Sequence, residues 1–165
     1  MARIRDATAE DVPRIREVAL ASWQAAYAGF LTPPQCQQAI DRLYPSNGIA
    51  EAIEELRGYR LVLAEADGIV QGFAAAEPTW ADEAELYALY VHPDRWDEGL
   101  GGALLERIRT GFEPAIERVA CSVFVENYGG VGFLEYNGFE RTGRTRTQVA
   151  GAIHQEVELE CALDE

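Results

Sequence analysis

The chain has 165 residues, 48% of them hydrophobic, and carries 28 acidic against 14 basic residues for a formal net charge of −14 at pH 7. That length suits one domain, residues 1–165, with an interior large enough for a real core, and the acidic balance argues against nonspecific nucleic-acid binding, which needs basic patches to displace counterions. No apolar run approaches the ~20 residues that cross a bilayer, and the opening Met1-Ala2-Arg3-Ile4-Arg5-Asp6 lacks the apolar stretch of a signal peptide, so a cytoplasmic protein with no membrane partner is expected.

Ile4 opens a short strand. Thr8 with Asp11 resembles a capped helix start, after which Val12, Ile15, Val18 and Ala19 fall on one helical face. The helical pattern continues through 22–31 and is broken at Gly29. Pro33 and Pro34 begin another helix, because proline suits a first turn. Ser46-Asn47-Gly48 reads as a loop and 49–57 as a further helical turn or two. Residues 60–66 form a strand, Asp67-Gly68 a tight turn, and 69–76 the hairpin partner. Residues 78–83 read as a loop and 85–91 as a strand. A Gly-spaced loop then leads into a helix over 100–112, with Leu100, Leu104, Ile108 and Phe112 on one stripe. The apolar run 119–125 suits a central strand. Asn127 can cap a helix ending at Asn137, with Gly138 as its left-handed terminator. Residues 139–149 and 153–163 close the chain as two strands joined at Gly151. This order predicts an α/β (α+β) fold: a mixed sheet with helices on both faces.

All 14 basic residues are Arg, and Lys is absent. A salt-rich cytoplasm, where screening damps self-repulsion, accounts for both features; an Arg-favouring, GC-rich genome is the other reading. Cys36, Cys121 and Cys161 are widely spaced and form no C-x-x-C, so neither a metal site nor a disulfide framework is expected. Cys121 and Cys161 lie in apolar strand patterns and read as small buried hydrophobes.

The stretch 86–105 carries the most chemistry. An apolar strand meets a turn at Pro93, then Gly99-Leu100-Gly101-Gly102 opens directly into an amphipathic helix. Such a turn points free backbone N–H groups at one spot beside a helix N-terminus, where an anionic phosphate is stabilised by hydrogen bonds and the helix dipole. Taken alone the glycine spacing is a weak signal, since Gly-rich turns also serve tight packing. The dinucleotide fingerprint and the P-loop are both missing, and no Lys exists to complete the latter. Flavin, nicotinamide and ATP readings recede accordingly.

Two flanking segments add weight: Ala84-Glu85-Leu86-Tyr87-Ala88-Leu89-Tyr90-Val91 upstream, and 125–139 downstream, with Asn127, Phe133, Tyr136, Gly138 and Phe139. In combination and spacing the three segments resemble the GNAT superfamily of acyl-CoA-dependent N-acyltransferases. The resemblance runs from Ile4 to about Leu163 and is strongest over 84–139. It implies a GNAT-like, mostly antiparallel sheet of about seven strands and acetyl-CoA as co-substrate. Trp96, Gly99 and Gly101 occupy the family's Gln/Arg-x-x-Gly-x-Gly/Ala positions. The backbone N–H groups of Asp97, Glu98, Gly99, Leu100, Gly101 and Gly102 would then cradle the CoA pyrophosphate. The resemblance further implies a bulge in the strand ending at Val91 and a splay from the strand ending near Val125. Pantetheine would lie in that gap along Leu89, Tyr90 and Val91, where a backbone N–H polarises the thioester carbonyl. Asn127 matches the family's contact to the cofactor arm, and Phe133 joins the same site.

Some positions depart from the family. Trp96 replaces the usual Gln or Arg, and Asp97 adds a negative charge beside two phosphates. Leu134 stands where a Tyr often protonates the leaving thiolate, and Tyr136 is turned about 200° away along the helix, so no general acid is assigned. Glu85 is the expected general base, with Glu83 as second candidate and Tyr87 or a water chain as further options. Trp23 and Tyr27, with Phe30, would wall the acceptor groove, although their spacing is also plain core spacing. His154 could face the acceptor site, a structural role being the other reading, and His92 has no assigned role. No Cys–His pair suggests an acyl-enzyme. The resemblance therefore implies direct attack by a primary amine, either a small cationic amine such as a polyamine or a peptide N-terminus, in an enzyme that could be a homodimer. The alternatives are a CoA-binding sensor or assembly module with little catalysis, and a nucleotide-phosphate-binding regulator using the same loop.

Overall fold

A computed structural model describes residues 2–55, 58–80 and 82–163. Seven strands, β1 (Ala2–Asp6), β2 (Arg60–Ala66), β3 (Ile69–Trp80), β4 (Glu83–Val91), β5 (Arg118–Phe124), β6 (Glu140–Val149) and β7 (Ala152–Ala162), form one sheet. Their order is β1-β2-β3-β4-β5-β7-β6. Every pairing is antiparallel except β4 with β5. The helices are α1 (Val12–Ala26), α2 (Pro33–Leu43), α3 (Ser46–Glu55), α4 (Leu100–Arg109) and α5 (Tyr128–Tyr136).

Alternation along the strands sorts the core into two layers. On one face Leu61, Leu63, Phe73, Ala75 and Phe124 pack against α1, α2 and α3. On the other, Val62, Ala64, Ala74, Ala76 and Leu159 pack against α4 and α5. Cys36, Cys121 and Cys161 are free thiols buried in these layers, and burial pushes the Cys121 thiol up to about 12. Among the described residues, no helix is long and apolar enough to cross a membrane.

The turn signals in the sequence hold. Asp67 and Gly68 adopt φ of 56° and 76°, and Ala150 and Gly151 adopt 50° and 83°, the left-handed pairs that two-residue hairpins require. The Thr8 N–H donates to the Asp11 carboxylate at 2.8 Å, closing the predicted cap. Thr32 and Gln35 cap α2 reciprocally, at 2.9 and 3.3 Å, with Pro33 and Pro34 in its first turn.

Several expected boundaries move. Ser46-Asn47-Gly48, expected as loop, forms the first turn of α3, because the Ile49 N–H reaches the Pro45 carbonyl at 3.0 Å. The end of that expected helix, at 56 and 57, lies outside the described residues. Pro78, Thr79 and Trp80, also expected as loop, extend β3, with Pro78 opposite Ala84 and Trp80 opposite Glu83. Proline is tolerated there because the ladder shifts register between Pro78 and Trp80. Helix α1 ends at Ala26, before Gly29, and α4 at Arg109, short of Phe112.

The end of α4 shows how a β2 side chain closes this layer. The Arg60 guanidinium donates to the carbonyls of Arg107 and Ile108 at 2.9 and 2.6 Å, capping the helix. A Cβ on Gly111 would lie 1.9 Å from that guanidinium. Arg60→Ala and Gly111→Ala are each expected to cost about 1–3 kcal/mol in denaturant melts, since each removes the charged cap. The double variant is expected to cost clearly less than the sum, because both changes break the same contact. Strict additivity would contradict this coupling.

Two features position the site. Strands β4 and β5 pair only through Glu83–Arg118, Ala84–Val119 and Glu85–Ala120, then separate. Beyond that point β4 stays with β3 as far as Val91, and β5 stays with β7 as far as Phe124. The sheet therefore opens into a V at its centre. On β4 the register with β3 passes from Leu86 to Ala88, leaving Tyr87 as the extra residue of a bulge at the apex.

Candidate active site

The V is the floor of a cavity of about 1570 Å³. One wall is the turn leading into α4, the other the end of α1 with β6 and β7. The turn begins at His92, whose Nδ1 accepts the Asp94 N–H at 3.2 Å. Asp97 then takes φ of 65° and Gly99 φ of 84° before α4 starts at Leu100. Gly99 is required by that left-handed conformation, whereas Asp97 adopts it with a side chain that tolerates it. Among the described residues, the N–H groups of Asp97, Glu98 and Gly99, and of the first turn of α4 through Gly102, find no acceptor in the chain. A Cβ at Gly99 or Gly102 would meet nothing within 4 Å, so both open onto free space. At Gly101 it would sit 3.4 Å from the Phe133 ring. The result is a concave cluster of donors on a helix N-terminus, the physical requirement for a diphosphate. Glu98 points away, at 3.4 Å from Arg95, and Arg95 is also tied to Asp67 at 2.9 Å.

Trp96 anchors this turn. Its indole Nε1 donates to the Val91 carbonyl at 2.7 Å, and the Ser22 hydroxyl donates to the same oxygen at 2.7 Å. Two side-chain donors thus satisfy the Val91 carbonyl, at the end of the Leu89–Val91 stretch expected to run beside pantetheine. Leu89 and Tyr90 remain on the part of β4 that lacks a β5 partner and line the cavity. Tyr90 and Tyr44 join hydroxyls at 3.2 Å.

Across the V, Asn127 does two things. Its Oδ1 accepts the Gly130 N–H at 2.9 Å, capping α5, and its Nδ2 donates to the Tyr27 hydroxyl at 3.3 Å. Tyr27 stands edge-on to Trp23 and to Phe124, with ring centroids 5.0 Å apart in each case. Trp23 and Tyr27 are thus core residues that also line the cavity. Phe133 and Leu134 line it from α5, while Tyr136 is 91% exposed and lies outside it. His154 packs between Phe30 and Phe124, 5.7 Å from each ring, away from the cavity lining.

The carboxylates separate cleanly. Glu83 is bound by Arg118 at 3.1 Å and does not line the cavity. Glu85, two residues on at the apex of the V, lines the cavity and has no hydrogen-bond or ion-pair partner among the described residues. Burial raises its carboxyl above the ordinary range, and the charges of Glu83 and Glu77 raise it further. Glu77 is engaged by the Tyr87 hydroxyl at 2.9 Å. Glu156 on β7 also lines the cavity, and burial followed by the Glu85 charge raises its carboxyl. The sequence reading did not single out Glu156. Its signal was the alternation of His154, Glu156, Glu158 and Glu160 with Val157, Leu159 and Cys161, which becomes informative only when β7 is known to lie beside β5. No group of three or more His, Cys, Asp or Glu side chains gathers as a metal site would among the described residues.

The family model described as the acetyltransferase (GNAT) family matches residues 18–139. A spermidine N(1)-acetyltransferase of Thermoplasma acidophilum is 29% identical over 143 residues, spanning 83% of this chain and 87% of that protein. A crystal structure of an N-acetyltransferase from the same organism in complex with coenzyme A superposes with a TM-score of 0.83 at 23% identity, over 98% of this chain and 99% of the other. The ribosomal-protein-S18-alanine N-acetyltransferase of Escherichia coli superposes with a TM-score of 0.75 at 19% identity, over 100% and 96%.

Proposed function

The chain belongs to the GNAT acetyltransferase family, and we propose that it transfers the acetyl group of acetyl-CoA to the primary amine of a small cationic acceptor by direct attack in a ternary complex. One observation carries this reading. Among the described residues, the one parallel pair of the sheet opens at Glu85 into a V, and β4 runs from that apex toward a cluster of free backbone donors at 97–102.

A thioester supplies an already activated acetyl group, so the chain must bind, position and polarise it. The donors at 97–102 hold the diphosphate, and the unpaired backbone of Leu89 and Tyr90 guides the arm into the V. Asn127 and Phe133 border its path. A backbone N–H of β4 hydrogen-bonds the thioester carbonyl and stabilises the oxyanion as the amine adds. Glu85 takes the proton from the ammonium, directly or through water, and its desolvated carboxyl is a stronger base for that reason. Glu83 is not given this role, because Arg118 holds it. The C–S bond breaks as the tetrahedral adduct collapses, the adduct nitrogen gives its second proton to solvent, and the CoA thiolate takes one from solvent, since Leu134 offers none. Positioning supplies most of the rate.

A fold shared by proteins named for a polyamine and for a ribosomal-protein alanine does not choose the acceptor. The cationic acceptor is supported instead by the unpaired carboxylates of the cavity. Release of free thiol from acetyl-CoA, measured on addition of a panel of amines, tests the reading. Amine-dependent release is expected; tight CoA binding without release for any amine would favour a sensor or assembly module.

A further inference from the structure

The acceptor side of the cavity holds a second carboxylate that nothing in the chain neutralises. Glu156 pairs with Phe124 at the end of β5. Strand alternation turns its side chain toward the layer of Trp23, Tyr27 and Phe124, away from Val157 and Leu159. It is half-buried and lines the same chamber as Glu85. Nearby Glu83 has its arginine, whereas neither Glu85 nor Glu156 meets a cation or a hydrogen-bond donor among the described residues. Two partly desolvated anions in one chamber raise the free energy of the folded chain, and a cation entering the chamber relieves it.

The surroundings suit an ammonium. The rings of Tyr27, Phe30 and Phe124 pack edge-on or tilted against one another at 5.0 to 5.6 Å. Glu156 stands opposite Phe124 in the β5–β7 ladder, on the same face of the sheet as these rings. Aromatic faces beside a carboxylate attract alkylammonium groups. A second, independent feature also points to a ligand. Trp23 is only 3% exposed and lines the chamber, and its indole N–H, beside the Tyr90 hydroxyl, closes no hydrogen bond of ordinary geometry among the described residues. A buried donor left open in this way is one that an atom of an incoming molecule can complete.

We propose that Glu156 is a specificity-determining residue that selects acceptors carrying two or more ammonium groups. The reacting amine lies at Glu85, while a second ammonium of the same diamine or polyamine is held by Glu156 against the Tyr27 and Phe124 rings. The proposal rests on the acetyl-transfer reading above. The two glutamates flank β5 on opposite sides, beside Ala120 and Phe124, roughly 13 Å apart along the strands and roughly 10 Å across them, so about 16 Å at the backbone. Both side chains project into the one chamber, near enough for the Glu85 charge to raise the Glu156 carboxyl. A monoamine leaves Glu156 unpaired, and an amino-acid acceptor brings its own carboxylate against it.

The test compares kcat/KM for spermidine, 1,4-diaminobutane and 1-aminobutane in the wild type and in Glu156→Gln, with a thermal melt of each protein. The wild type is expected to prefer the two polycations over 1-aminobutane by about 30-fold or more, and Glu156→Gln to lose about 10- to 100-fold on the polycations, mainly in KM, as expected for a removed charge pair. Activity on 1-aminobutane should stay within about 3-fold. Glu156→Asp, which keeps the charge, should retain most of the preference. A wild type without preference, or a Gln variant that keeps the wild-type ratio, overturns the role of Glu156 and leaves acetyl transfer standing. Absence of transfer to all three amines overturns the acetyl-transfer reading itself. Should the Gln variant fail to fold, the wild-type ratio measured against KCl decides: it should shrink as salt screens the second contact, and a salt-independent ratio counts against the proposal.

Discussion

Glu85→Gln is expected to lower kcat/KM for acetyl transfer by about 100- to 1000-fold while leaving acetyl-CoA affinity nearly unchanged. The substitution keeps the shape of the side chain at the apex of the V and removes only its ability to take a proton. Most of the loss should fall in kcat, because the group acts as the amine becomes a nucleophile. The pH profile gives a sharper reading. Burial and the neighbouring charges of Glu83 and Glu77 raise the Glu85 carboxyl, and only its ionised form accepts a proton. The wild-type rate should therefore rise with pH through that elevated pKa, and the same acid limb should be missing in the variant. Stability moves the other way. A carboxyl raised in the folded state binds its proton more tightly there than in the unfolded chain. Its destabilising effect is absent at pH below the unfolded pKa, and is fully present once pH has passed the folded one. At neutral pH the Gln variant should melt no lower than the wild type, and slightly higher if anything. A variant that is both less active and less stable would speak for a structural role.

Gly101→Val is expected to weaken acetyl-CoA binding by about 100-fold or more, equivalent to about 2.7 kcal/mol. Gly101 lies in the first turn of α4, among the free donors, with the Phe133 ring 3.4 Å from where a Cβ would stand. Valine would press that ring on one side and place a methyl between the helix N-terminus and the diphosphate on the other. The loss should appear as a raised KM for acetyl-CoA with little change in the amine KM. Circular dichroism should report an intact fold, since α4 is held by Leu100, Leu104, Leu105 and Ile108 beneath the turn.

Most of this architecture was legible from residue patterns. Residues 60–66 and 69–76 read as paired strands, and Asp67-Gly68 and Gly151 placed the hairpins. The misreadings share a cause. Ser46-Asn47-Gly48 and Pro78-Thr79-Trp80 have turn-prone composition, yet their conformations follow from neighbours: Pro45 offers its carbonyl to Ile49, and β4 pairs across to Trp80. Tertiary context overrode local propensity in both. At the site, Gly99, Gly101 and Glu85 were visible because the chemistry is local in sequence. Ser22 and Glu156 were not, and Trp96 was visible as a loop position but not as the anchor of the turn. Ser22 and Trp96 meet at the Val91 carbonyl from 69 and 5 residues away. Glu156 enters the chamber only because β7 inserts between β5 and β6. Long-range register is what a single sequence states least clearly.

The chamber also shows a division of labour. Glu83, Asp82 and Arg118 form a half-buried ion-pair cluster at the closed end of the V, where each charge has its partner. Glu85 and Glu156 stay unpaired inside it. Fourteen arginines are available in the chain, and none reaches them among the described residues. Such retention of costly anions is what function demands and stability alone would remove.

The central claim is that the gap between β4 and β5, with the donors at 97–102, receives the thioester carrier. Isothermal titration calorimetry of acetyl-CoA into the folded wild type, in KCl-containing buffer, tests it most directly. The account predicts saturable heat at one carrier per chain, sharply reduced in Gly101→Val. A flat titration on protein that circular dichroism shows to be folded would contradict it.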